Sequence, residues 1–253
     1  MNYPITFVFA AACAAASAAA HALPLTDRTS IELFAGANVA MPGDFRGQTV
    51  PFELSNGTGS ITYNHLDFSD AYRERVTGGG ELDYALDSHL SAFGRLGFSQ
   101  FDGATMRIGR FETPLTQISD VKAKFGDTST REFDVGARYS FGESDTLRPF
   151  VGAALGATRM EGLHALVDPV GGLGATKVEI GRPDTVFSQR VETGLQYSPT
   201  RGFDLRLTAA ANHLDGAAAS HDLNLETVGL ENPHGDVRGH WDYPAELGAV
   251  WHF

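Results

Sequence analysis

Eight stretches of alternating apolar and polar residues, connections that alternate short and long, and a last stretch with rings at both ends of its apolar face predict an all-β chain. The fold class they point to is a transmembrane antiparallel up-and-down β-barrel of eight strands, with short periplasmic turns and long extracellular loops. The last stretch weighs most. Tyr243, Ala245, Leu247, Ala249, Trp251 and Phe253 fall on one side, and Asp242, Pro244, Glu246, Gly248, Val250 and His252 on the other. Rings flanking smaller apolar residues suit a strand that crosses a bilayer with an aromatic side chain at each interface.

The chain opens on its one continuous apolar tract, Met1 to Ala22, which ends in the small residues Ala20-His21-Ala22. It reads as a secretory signal peptide cut after Ala22, although no Lys or Arg precedes Arg28 to supply a charged start. Residues 23–253 then form one barrel domain. The sole cysteine, Cys13, lies inside the tract, so the mature chain is expected to carry no disulfide and no thiol chemistry.

The first strand is Ser30 to Val39, with Ile31, Leu33, Ala35, Ala37 and Val39 against Glu32, Phe34, Gly36 and Asn38. Ala40 to Arg73 reads as a long loop broken by Pro42, Pro51 and Asn56-Gly57, with short hairpin strands around Phe52 and Ile61 to Tyr63. Arg75 to Leu86 and His89 to Gln100 follow as a hairpin around Asp87-Ser88. Asp102 to Thr130 is a second excursion. Arg131 to Phe141 and Leu147 to Arg159 form the next hairpin, and Glu161 to Pro183 the third excursion. Thr185 to Tyr197, poorly patterned in its first half, pairs with Phe203 to Asn212; a last loop, His213 to Trp241, leads to the closing strand. An eleven-residue strand at about 3.3 Å per residue, tilted about 40°, rises roughly 28 Å, enough for an apolar band of about 25 Å.

Composition bounds the function. Among 253 residues, 42% are apolar and 20% charged, and no apolar run long enough for a membrane helix follows the N-terminal tract. A net charge of −12 excludes nucleic acid as a partner, which would require clustered Lys and Arg.

The stretches Tyr84-Ala85-Leu86-Asp87-Ser88-His89-Leu90 into Gly94-Arg95-Leu96-Gly97, Arg148-Pro149-Phe150-Val151-Gly152-Ala153, and Glu246-x-Gly248-x-x-Trp251-x-Phe253 resemble the small outer-membrane β-barrel family that includes outer membrane proteins A and X of Gram-negative bacteria. The resemblance implies residence in the cell outer membrane after Sec export. It also implies that Glu246, Gly248, Trp251 and Phe253 act as a C-terminal signal read by the barrel-assembly machinery. The peptidoglycan-binding domain of larger members is not expected.

Inward positions carry Glu32, Glu81, Asp83, Arg95, Glu132, Asp134, Arg138, Arg148, Arg190, Glu192, Asp204, Arg206 and Glu246. In a lumen just wide enough for side chains, opposite charges are expected to pair as a structural network, against the sharper reading of a gated ion path. The histidines are scattered: His65, His164, His221, His234 and His240 in loops, His89 by a turn and His213 at a strand end. No zinc-type spacing appears, and no metal or cofactor is expected. Gly171-Gly172-Leu173-Gly174 neither follows a buried strand nor opens a helix, so it reads as loop punctuation. His213, Ser220 and Asp222 are the only catalytic candidates, and the His-x-Ser pattern of lipid A deacylases fails at Asp215.

The resulting expectation is a non-enzymatic outer-membrane protein with a structural and surface-contact role. Its expected partners are outer-membrane lipids, the assembly machinery and an extracellular partner held by the loops. A solute channel, widened to ten or twelve strands by segments around Ile61, Met106 or Val178, is the first alternative, and a lipid A-modifying enzyme the second.

Overall fold

A computed structural model describes residues 28–38, 44–45, 47–54, 57–113, 118–142, 146–168, 176–181, 183–200, 202–215 and 240–253. The expected signal peptide and most of the last loop lie outside these residues. In chain order the elements are β1 (Thr29–Asn38), β2 (Asp44–Phe45), β3 (Gln48–Leu54), β4 (Gly57–Tyr63), β5 (Leu66–Asp67), α1 (Phe68–Ala71), β6 (Tyr72–Ala85), β7 (Leu90–Gly103) and β8 (Thr105–Glu112). There follow β9 (Ile118–Phe125), β10 (Thr128–Ser140), β11 (Leu147–Met160), β12 (Leu163–Asp168), β13 (Thr176–Gly181), β14 (Asp184–Thr200), β15 (Phe203–Leu214), β16 (His240–Asp242) and β17 (Pro244–His252).

Eight strands pair in the order β14-β11-β10-β7-β6-β1-β17-β15, and β14 pairs with β15 to close the ring. All these pairings are antiparallel. The terminal strand meets the first as the alternation requires, with Ile31 opposite Trp251 and Ala35 opposite Leu247. Strand β16 continues the line of β17 past Tyr243 and pairs with β15, where Trp241 faces His213. Strand β14 alternates along its whole length, Val186, Ser188 and Arg190 inward and Phe187 and Val191 outward, although its first half reads as poorly patterned. The period there is carried by Ser, Gln and Thr, which contrast weakly with their neighbours.

The barrel is inverted relative to a water-soluble domain. Leu96, Val135, Leu155, Val191, Leu207 and Leu247 point outward with 48–64% of their surface exposed. Val135 faces Leu155, and Leu207 faces Leu247, so these side chains form continuous rows. An exposed apolar band of this extent needs a covering solvent of its own kind, the acyl chains of a bilayer. Tyr139, Phe141 and Tyr197 mark its short-turn edge, and Phe98, Phe133, Phe187 and Trp241 its long-loop edge.

Three of the loops are not irregular. Strands β3, β4, β8, β9, β12 and β13 pair as a second, six-stranded sheet in the order β13-β12-β9-β8-β4-β3. The extra strands near Ile61, Met106 and Val178 therefore do not widen the ring: β4, β8 and β13 pair within this sheet, and the barrel keeps eight strands. The excursions were expected to be loops because each strand is short and its partners lie partly in a different excursion. One face of the sheet packs Ile61, Ile108, Val121, Ala123, Phe125, Leu163 and Ala165 against Tyr72 and Phe101 at the ends of β6 and β7. Tyr72 meets Phe101 and Phe125 edge-on, with ring centroids 6.3 and 5.8 Å apart. Burial raises the Tyr63 phenol above its ordinary range, so this ring at the edge of the cluster stays neutral. Fully burying a side chain such as Ile, Val or Phe contributes about 1.5–3 kcal/mol, so the cluster gives the sheet a core of its own.

Candidate functional site

Two regions carry side chains with something to do: the lumen and the long-loop face. The lumen begins with packing. Phe34, Phe93 and Phe150 point inward, each directly opposite a glycine on the next strand, Gly79, Gly136 and Gly194. A methyl group added to those glycines would lie 2.6, 2.6 and 2.5 Å from the tip of the respective ring. Each ring thus fills the space a missing side chain leaves, a cross-strand device that also hides the glycine backbone.

Guanidinium groups lie over the rings. Arg95 is 3.5 Å from the Phe34 centroid, and Arg138 is 4.6 and 5.0 Å from those of Phe93 and Phe150. Around them sit the carboxylates. Arg138 donates to Glu81 at 2.8 Å, to Asp83 at 2.9 Å and to Glu192 at 2.5 Å. Arg206 donates to Glu32, to Glu81 at 2.9 Å and to Asp83 at 3.2 Å. Arg190 donates to Glu192 at 2.9 Å and to Glu246 at 2.8 Å, and Arg95 reaches Glu246 at 2.6 Å. Strands β1, β6, β7, β10, β14, β15 and β17 are tied together by these bonds.

Further inward charges lie around this set. Asp134 accepts from Ser188 at 3.0 Å, while Glu132 is buried opposite Gly97. Asp204 binds Gln196, and the His252 ring at 2.7 Å. Arg148 is half-buried and lines a cavity of about 430 Å³ at the short-turn mouth, with Thr146, Ser198, Asp204 and His252. Ser198, His252 and Asp204 share that mouth, where the His252 ring meets the Asp204 carboxylate.

Glu32, Glu81 and Asp83 bring carboxylate oxygens within 4.8 Å of one another, the one acidic cluster of metal-binding size among the described residues. Arg206 and Arg138 already hold it, so its lone pairs are largely committed to guanidinium donors. The histidines stay apart. His89 stacks on Tyr139 with centroids 5.9 Å apart, His65 is exposed, His164 is half-buried, His240 begins β16, and His221 and His234 lie outside the described residues. His213 packs on Trp241 and lies 3.7 Å from Asp215. Ser220, Asp222 and the Gly171 to Gly174 stretch also fall outside the described residues.

The proposed assembly signal takes up four distinct positions. Glu246 faces the lumen, and Gly248 leaves room for the Glu32 carboxylate, which a methyl group there would strike. Trp251 packs outward against Phe203 with ring centroids 5.7 Å apart, and the Phe253 N–H donates to the Thr29 carbonyl at 3.2 Å. The sequence reading missed the inward phenylalanines as partners of glycine. Their signal is present, large residues and glycines at inward positions, but the pairing needs the strand register.

No protein-family model and no curated protein matches the chain. Solved structures do. Neisserial surface protein A is 14% identical, with 89% of this chain and 97% of that one covered and a TM-score of 0.42. Ail, the attachment invasion locus protein of Yersinia pestis, is 12% identical over 89% and 99% with a TM-score of 0.38. The outer membrane protease OmpT from Escherichia coli is 10% identical over 91% and 99% with a TM-score of 0.39. A shared fold hosts unrelated activities, and none of these likenesses assigns a role to this chain. By its closed eight-stranded pairing and its exposed apolar band, this chain has the fold of a small outer-membrane β-barrel.

Proposed function

We propose that the chain is a non-enzymatic outer-membrane protein whose plugged barrel carries a folded extracellular sheet, and that it acts by surface contact through that sheet while adding to envelope integrity. The observation that supports this most is the joining of three long loops into one six-stranded sheet with an apolar core, seated on the ends of β6 and β7. A barrel that needed only to span the membrane would have no use for such a structure, since each ordered residue costs about 1–2 kcal/mol of backbone entropy.

The channel reading requires an open lumen. Here four arginines, their carboxylates and three phenylalanines meet in the interior of an eight-stranded ring. The lipid A-modifying reading requires a nucleophile and base at the membrane boundary, and His213 packs on Trp241 with Asp215 3.7 Å away.

The test is a display experiment. Cells carrying the full chain are compared with cells in which the hairpins at 48–63, 105–125 and 163–181 are each replaced by a tight turn, on arrays of immobilised glycans and extracellular proteins. Adhesion by the full chain and its loss on trimming, at equal surface levels of heat-modifiable barrel, is the expected result. Equal retention of both strains, or of the full chain and barrel-free cells, would overturn the reading.

A further inference from the structure

The lipid-facing wall holds two cations at one point. Arg131 on β10 and Arg159 on β11 stand directly opposite each other, both exposed and both outward by the alternation of their strands. Their row continues to Phe98 on one side and Thr185 on the other. The row beneath carries Leu96, Phe133, Ala157 and Phe187, the aromatic edge of the apolar band. The arginines therefore sit level with Phe98 and one step beyond Phe133 and Phe187, at headgroup depth on the long-loop side. Elsewhere the outward wall from Phe98, Phe133 and Phe187 down to Tyr139 and Tyr197 presents only apolar residues, glycines, hydroxyls and Gln189 among the described residues of β7, β10, β11 and β14.

Two like charges directly opposite on neighbouring strands repel, so the position is unfavourable unless an anion lies between them. The one counter-charge beside them among the described residues is weak: Glu161 approaches Arg131 at 3.5 Å, with both side chains more than half exposed. Arg159 has no ion pair among the described residues. Guanidinium pairs with splayed N–H donors match the oxygens of a phosphate; Thr185 stands beside Arg159 in the same row, and Ser129 lies one outward position further along β10. By contrast, the outer face of the extracellular sheet mixes its charges, with Arg107 bridged to Asp120 at 2.9 Å, and does not favour a polyanion.

We propose that Arg131 and Arg159 form a clamp for the phosphate of an outer-leaflet lipid headgroup, which fixes the depth and azimuth of the barrel in the membrane. The inference rests on the apolar band as the lipid-facing surface and is independent of the surface-contact reading. Full-length protein is reconstituted in phosphatidylcholine vesicles doped with lipid A bearing its phosphates, or with dephosphorylated lipid A. Lipid retained on the barrel after transfer to detergent is then counted by native mass spectrometry.

Retention of the phosphorylated form is expected to fall about fivefold for Arg131→Gln and again for Arg159→Gln, from the attraction of one basic residue near an anionic surface. Glu161→Gln is expected to raise it, because the competing carboxylate is gone, a result that a merely structural pair would not give. Each variant is checked for heat-modifiable mobility, so that misfolding is distinguished from loss of the clamp. Equal retention of both lipid A forms, no loss in the folded double variant, or displacement by inorganic phosphate as for a free-ion site would overturn the proposal.

Discussion

Arg190 on β14 donates to Glu246 on β17 at 2.8 Å across the lumen, linking two strands that are not neighbours in the barrel. Both side chains are almost fully buried, and Arg190 also holds Glu192 on its own strand. Arg190→Met removes a donor shared by two buried carboxylates, so it is expected to cost about 3–5 kcal/mol. The exposed Arg107 and Asp120 pair serves as the contrast, and Arg107→Gln should cost less than about 1 kcal/mol. Equilibrium urea unfolding in lipid vesicles measures both; similar losses for the two variants would contradict the lumen network as a stabilising plug.

Gly248 is a packing position as well as part of a terminal motif. Gly248→Ala drives a methyl group into the Glu32 carboxylate, which is itself held by Arg206, and should destabilise the barrel by about 1–3 kcal/mol. Gly94→Ala is the control, since that glycine faces outward and a methyl group there meets nothing within 4 Å. Thermal unfolding followed by the heat-modifiable band should separate the two variants, with Gly94→Ala near the parent.

The short turn after β6 depends on one carboxylate. Asp87 accepts hydrogen bonds from the His89 and Leu90 N–H groups, both at 2.8 Å, and these hold its carboxyl below the usual range. A depressed folded value means that the turn is stabilised above the unfolded carboxylate range and loses that contribution as pH falls through the folded value. Protection of the His89 and Leu90 amides, relative to their intrinsic exchange, should fall below the usual carboxylate range, and Asp87→Asn should remove that fall. A parental protection factor that stays constant across that range would refute the role of the carboxylate.

Trp251 and Phe253 lie at the short-turn edge of the band, Trp251 against Phe203 and the Phe253 N–H on the Thr29 carbonyl. Phe253→Ser leaves the lumen untouched and removes an interfacial ring, so folded protein in the outer-membrane fraction should decrease while unfolded protein accumulates. Parental levels of folded barrel would argue against a part in insertion.

The barrel was legible because each of its strands alternates over ten residues or so and the connections switch between short and long. Ile31 to Ala37 and Leu205 to Ala211 display that period in apolar residues, and the structure keeps their faces. The six-stranded sheet was harder to read for a physical reason. Strand β9 alternates as clearly as any, with Val121, Ala123 and Phe125 against Asp120, Lys122 and Lys124, but it is short and one of its partners, β12, comes from another loop. Local periodicity gives a strand its faces and leaves its partners to tertiary packing. The same limit applies in the lumen. The inward charges follow from alternation, whereas the meeting of Glu246 with Arg95 and Arg190 depends on the stagger of the closed ring.

The central claim, a plugged barrel that presents an extracellular sheet, is tested most directly by planar-bilayer recording of the purified full-length protein at neutral pH. The interior filled by Arg95, Arg138, Arg190 and Arg206 with their carboxylates and by Phe34, Phe93 and Phe150 predicts no conductance above the protein-free bilayer. Stable unitary steps that scale with salt and persist in the hairpin-trimmed protein would contradict it.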